Sequence, residues 1–180
     1  MEINKFYSGK IEQVKKSFSE DFPSVTLFDF FEKKDFIKLQ KRIRSLQYKK
    51  EKKTLTHSHS KASITLSDKE LINFLSKITN KKIKKLSGQV LSFGWKDYTI
   101  LHDTVKEKQS YDIIIDLTNS WQEDFGGNII YVDGTGDYVK IPDRRNTLTI
   151  VKRKKNIRHF VKYVNNLAGR KKRNILILQV

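Results

Sequence analysis

The sequence predicts an α+β protein: N-terminal helices packed on a jelly-roll core, a double-stranded β-helix. Three observations predict it. Up to about residue 85 apolar residues recur mainly at helical spacing, whereas beyond it they fall into short runs. Gly, Asn and Asp residues punctuate those runs as turn formers, and the runs number eight, the strand count of a jelly roll. The chain reads as one domain, 1–180, with 1–85 mainly helical behind one leading strand and 86–180 the β core.

In order along the chain, residues 11–20 carry Ile11, Val14 and Phe18 at helical spacing. Residues 24–30 alternate as a strand, and 31–53 continue as a helix with Phe36, Leu39, Ile43 and Leu46 on one face. Ser67-Asp68-Lys69-Glu70 has the form of a capping box: the Ser67 hydroxyl can take an orphan amide and open a helix to about Ile78. The eight strands are expected at 89–93, 98–101, 111–117, 128–132, 138–141, 147–151, 160–164 and 175–178. Gly134-Thr135-Gly136 lacks the strand-to-helix setting of a phosphate loop and reads as a hairpin turn.

Composition narrows the function classes. The chain has no cysteine, which excludes disulfides, thiolate zinc sites and a cysteine nucleophile. Its apolar runs are far too short to span a bilayer, so no membrane partner is expected and a cytoplasmic location is. Thirty-seven Lys and Arg against twenty Asp and Glu leave a net charge of +17. The basic residues concentrate at 33–53, 77–85, 152–158 and 170–173. Such clusters serve either as solvated faces or as contacts for nucleic acid or a ribosome.

The polar landmarks of the core come in a telling order. His102-Asp103-Thr104 ends the 98–101 run, followed by Trp121, Gly126-Gly127, Pro142-x-x-x-Asn146-x-Leu148 and His159-x-Val161. A basic cluster, Arg170-Lys171-Lys172-Arg173, then leads into a last apolar run. Over about 85 residues this order resembles the catalytic core of the Fe(II)/2-oxoglutarate-dependent dioxygenases, in their prolyl-hydroxylase-like branch. Pro23-Ser-Val-Thr-Leu-Phe-Asp-Phe-Phe is similar to the segment that precedes that core.

The resemblance implies an oxygenase that hydroxylates a protein side chain, using Fe(II) and 2-oxoglutarate. It implies iron ligation by His102 and His159, which lie 57 positions apart. Two imidazoles and one carboxylate on one face leave the opposite positions open for cosubstrate and oxygen. It also implies a cation for the distal carboxylate of 2-oxoglutarate. A guanidinium suits this role because it offers two parallel donors; Arg173 comes first, since Arg173-Asn-Ile-Leu-Ile-Leu most resembles the start of the family's final strand, and Arg170 second.

The family's carboxylate stands two residues after its first histidine; here that position is Thr104. Three readings stay open. A bulge turns Asp103 inward as the ligand, or iron is held by two histidines, or the chain is a degenerate member binding nucleic acid or a ribosomal partner without turnover. His57-Ser58-His59 could place two imidazoles on one side of a strand, but its Ser/Thr/Lys-rich setting at 54–63 reads as a flexible loop.

Overall fold

The computed structural model describes residues 1–18, 22–53, 55–102, 110–154 and 156–180, with residue 102 described by its backbone. Two short helices, α1 (Lys5–Ser8) and α2 (Ile11–Lys16), lead to β1 (Ser24–Leu27), α3 (Lys33–Arg44), β2 (Lys49–Lys53), β3 (His57–Leu66) and α4 (Lys69–Thr79). Then follow β4 (Leu86–Phe93), β5 (Tyr98–His102), β6 (Ser110–Asp116), β7 (Ile129–Val132), β8 (Tyr138–Lys140), β9 (Thr147–Arg153), β10 (Arg158–Val161) and β11 (Arg173–Gln179).

The strands hydrogen-bond in the order β1-β9-β6-β11-β4-β3-β5-β10-β7-β8, with β2 paired to β3. The ladder curls back on itself, because one buried cluster joins Phe93, Ile114 and Ile175 of one stretch to Ile129, Tyr131 and Val161 of the other. This is a double-stranded β-helix. A second cluster seals the outer face of the larger sheet, where Ile64, Val90, Leu176 and Leu178 meet Phe36, Leu39 and Ile43 of α3 and Phe74, Leu75 and Ile78 of α4. Each strand therefore feeds both layers through alternate residues. No helix among the described residues is long and apolar enough to cross a membrane.

All eight strands of the C-terminal part form. The N-terminal part departs from expectation by carrying β2 and β3 besides its leading strand. The helix expected over 31–53 stops at Arg44, and the lysine-rich remainder becomes β2, paired only to β3. Lysine is a residue that keeps an exposed edge from pairing with other chains. The segment expected as a flexible loop is β3, a ten-residue strand. Helix α4 is capped by Asp68 rather than Ser67: the Asp68 carboxylate accepts the Leu71 amide at 2.9 Å. Glu70 is drawn off to accept the Ile3 amide. Between β7 and β8 the expected hairpin turn is built on Asp133, whose carboxylate accepts the Thr135 and Asp137 amides.

Candidate metal and cosubstrate site

The smaller sheet brings positions 102 and 159 together. His159 of β10 is the direct cross-strand partner of His102 in β5, and on its other side it faces Tyr131 of β7. Three residue steps of β5 (99 to 102) span what two steps of β10 (161 to 159) span, so β5 carries a bulge. A bulge re-aims the residue that follows it. Here it puts His102 in register with His159 although Thr99, three residues earlier, pairs with Val161. The strand ends are pinned by Asp97, whose carboxylate takes the Gly94 amide, the Ser58 hydroxyl and the Lys50 ammonium. Burial pushes the Asp97 carboxyl up, but these donors outweigh it and hold it below the usual range.

The His159 ring is nearly buried and stacks on Tyr131 with centroids 5.0 Å apart. Beneath it lies a charged network that the sequence did not announce. Arg153, at the end of β9, donates to Asp112 at 2.6 Å and to the Ile157 carbonyl at 3.0 Å. The Tyr131 hydroxyl donates to the same Asp112 oxygen at 2.8 Å. Burial, reinforced by the Asp112 charge, pushes the Tyr131 phenol well above its ordinary range, so it stays a donor. Arg153 Nη1 lies 3.4 Å from His159 Nδ1.

The larger sheet supplies the facing row: His59, Phe93 and Arg173 lie side by side on β3, β4 and β11. The His59 ring packs 5.4 Å from Phe93 and 5.4 Å from His57, so the two histidines share one face of a strand. Burial, with the neighbouring charges of His57 and Lys61, depresses the His59 imidazole to about 4. Its Nδ1 is buried without a hydrogen-bond partner among the described residues.

Arg173 is wholly buried. Its Nη1 donates to the Gly127 carbonyl at 2.7 Å and pairs with Asp143, while Nη2 meets Asp116 at 3.1 Å. Gly126 and Gly127 make this cradle possible. A Cβ on Gly126 would stand 2.1 Å from the Tyr163 carbonyl oxygen, and one on Gly127 would press on Val164, Trp121 and Arg173. Both glycines have positive φ, which only glycine adopts freely. Trp121 donates its indole N–H to the Gly126 carbonyl and closes the wall. Arg170, the second candidate cation, sits on the exposed turn before β11. Asn146, of the Pro-Asn-Leu segment, is a staple: its side chain bonds both the amide and the carbonyl of Phe31.

The expected third iron ligand, Asp103, and the anomalous Thr104 lie outside the described residues. Among the described residues no three imidazoles or carboxylates converge as a metal cage. As direct cross-strand partners, positions 102 and 159 stand close enough for two ligands of one iron ion. The cosubstrate cation fits in part. Arg173 already holds two carboxylates, but its Nε is buried with no partner among the described residues, one donor still to be met.

Sequence reasoning missed Asp112, Asp116, Arg153, Tyr131 and Asp143. One signal was there: Asp112, Ile114 and Asp116 stand two apart in a run of isoleucines, so both carboxylates face the interior and need buried cations.

Comparison with known proteins agrees with this fold. The family described as oxoglutarate and iron-dependent oxygenase degradation C-term matches residues 60–177. No protein of curated function matches significantly. Among solved structures, a Pseudomonas putida prolyl-4-hydroxylase superposes with a TM-score of 0.71 at 10% identity, covering 94% of this chain and 97% of that one. A 2OG-Fe(II) oxygenase family protein from Burkholderia pseudomallei gives 0.68 at 12%, covering 99% and 93%. A Trichoplax adhaerens prolyl hydroxylase, solved with a hypoxia inducible factor peptide fragment, gives 0.65 at 13%, covering 98% and 92%.

Proposed function

This chain belongs to the oxoglutarate and iron-dependent oxygenase degradation C-term family, and we propose that it is a cytoplasmic 2-oxoglutarate/Fe(II)-dependent oxygenase that hydroxylates a protein side chain. The observation that carries the proposal is the cross-strand pairing of His102 with His159 at the bulge in β5. In this reading the two imidazoles hold the iron, and Asp103, the next residue, completes the set. When bound, iron and 2-oxoglutarate would let dioxygen act as the oxidant, one of its atoms entering succinate as carbon dioxide is lost and the other entering the substrate C–H bond as hydroxyl.

The chain's own residues do the rest. Tyr131 fixes the plane of the His159 ring by stacking, and Asp112 holds the Tyr131 hydroxyl and the Arg153 guanidinium in place beneath it. Arg173 receives the distal carboxylate of 2-oxoglutarate, for which Asp143 gives up its place. Asp143 is the more displaceable of the two carboxylates. It lies on the loop between β8 and β9 and keeps 11% of its side chain exposed, against 2% for Asp116 on β6. Burial raises its carboxyl despite the neighbouring Arg173, so its charge is held at a cost. A protein substrate is supported by the likeness to a prolyl hydroxylase solved with a peptide.

The test is an anaerobic titration of the chelator-stripped protein with Fe(II) and 2-oxoglutarate, read as a visible charge-transfer band. The band is expected for the native chain and is lost in His102→Ala and in His159→Ala. Its absence at millimolar iron would overturn the proposal and leave a degenerate member of the family.

A further inference from the structure

Because alternate residues of a strand face opposite ways, the strands that carry Phe93 and Arg173 inward carry Ser92 and Asn174 outward. There the C-terminal turn of α3 and the segments around Asn119 and Lys172 enclose a cleft of about 390 Å³. Its floor is a row of three cross-strand neighbours, Ser60, Ser92 and Asn174, on β3, β4 and β11. The next positions on this face are Ala62, Val90 and Leu176, members of the apolar core. The polar row is thus an interruption that helix packing does not call for. Ser92 is buried, and none of the three side chains takes a hydrogen bond within the described residues. Their polar atoms open on the cleft and are free to meet a ligand.

The walls point to what binds. Arg44, Lys171 and Lys172 line the cleft, and no carboxylate does. Arg44 and Lys172 form no ion pair among the described residues. Tyr48, Ile43 and Leu117 make an apolar side, with the Tyr48 hydroxyl turned away onto the Ile43 carbonyl. Gln40 braces the far wall by donating to the Leu117 carbonyl at 2.7 Å. Cations and free hydroxyl and amide donors suit a phosphate. A tyrosine flanked by aliphatic side chains suits a flat ring. The volume is that of a small-molecule pocket.

We propose that this cleft binds a mononucleotide, its phosphates on Arg44, Lys172 and the Ser92–Asn174 row and its base against Tyr48. The cleft and the candidate iron site lie back to back across β4 and β11.

Calorimetric titration of the full chain with ATP at physiological salt tests the proposal. Saturable one-to-one binding is expected, weakened at least tenfold in Arg44→Gln and in Asn174→Ala. Arg44 is exposed, so its variant keeps the core intact. Lys34→Gln, at the other end of α3, leaves the affinity unchanged. No saturable heat at millimolar ATP would overturn the proposal, as would equal weakening by Lys34→Gln, the mark of net charge alone. Inorganic phosphate binding as tightly as ATP would overturn the role given to Tyr48. A single-stranded RNA that binds more tightly than ATP, through the same residues, would overturn the assignment to a small ligand.

Discussion

Replacing Asp143 by Asn tests how Arg173 is used. Arg173 carries one positive charge, and Asp116 and Asp143 carry two negative ones, so this buried group has a formal net charge of −1. An incoming carboxylate therefore meets repulsion as well as a cation already engaged. Two unit charges about 4 Å apart interact by roughly 4 kcal/mol at an effective dielectric near 20. Asp143 is partly solvated, and in leaving Arg173 it regains water, which recovers part of that sum. Removing its charge is thus worth about 1.4–3 kcal/mol to a carboxylate ligand, a gain in affinity of roughly ten- to a hundredfold.

The assay is the equilibrium affinity of the Fe(II)-loaded protein for 2-oxoglutarate under anaerobic conditions, native against Asp143→Asn. The pH dependence supplies a second readout. Because burial raises the Asp143 carboxyl, protonation begins to neutralise it above the ordinary aspartate range. Native affinity should therefore improve as pH falls toward that raised value, while the Asn variant should show a flatter profile. A variant that melts like the native chain yet binds 2-oxoglutarate no more tightly would refute the reasoning. Arg173 would then be the cation of a structural ion cluster.

The other predictions concern the interior charges. His59 is held at about 4 in the folded chain against 6.5 when free, so between those values the unfolded chain binds more protons. Its contribution is intact above pH 6.5 and is lost as pH falls toward 4, on the order of 1–2 kcal/mol after allowance for solvent screening. Thermal melts at pH 7.5 and 5 should show a smaller loss in His59→Phe than in the native chain, and equal losses would contradict the assignment. Arg153→Met should cost about 3–5 kcal/mol, because it strands the Asp112 carboxylate in a buried site. Denaturant unfolding should show much of that cost recovered in Arg153→Met/Asp112→Asn, whereas additive losses would mean the pair is not coupled.

The β core was legible because its strands are apolar runs cut by turn residues, and the order of His102, Gly126-Gly127 and His159 was legible as a pattern. The strand ends were not. Each expected strand stopped at its last apolar residue, yet β5 reaches His102, β9 reaches Arg153, β10 includes His159 and β11 begins at Arg173. Polar residues break the apolar period just where the fold brings chemistry inward. Strand β3 was hidden for a related reason. Its inward positions carry His57 and His59 and its outward ones begin with serines, so neither face has an apolar stripe until Ala62. The ion pairs Arg153–Asp112 and Arg173–Asp116 join residues 41 and 57 positions apart, a distance over which periodicity says nothing.

Charge ties these parts together. The chain carries +17, yet the two clusters built on Arg153 and Arg173 hold Asp112, Asp116 and Asp143 against them, a formal excess of one negative charge. Such an excess is costly where water is excluded, and a bound cation relieves it. On the proposed function, a dication held by His102 and His159 would face that excess across the space between the two sheets. It would compensate the surplus carboxylate before the cosubstrate arrives. When 2-oxoglutarate then brings its own carboxylate to Arg173, Asp143 is the group whose departure keeps the local charge in balance. Iron should therefore bind the native chain better than its two imidazoles alone would predict. By the same argument, Asp143→Asn should weaken iron binding in the absence of 2-oxoglutarate while strengthening 2-oxoglutarate binding in its presence. Opposite signs for the two affinities follow from one charge, and no purely structural role for Asp143 produces them.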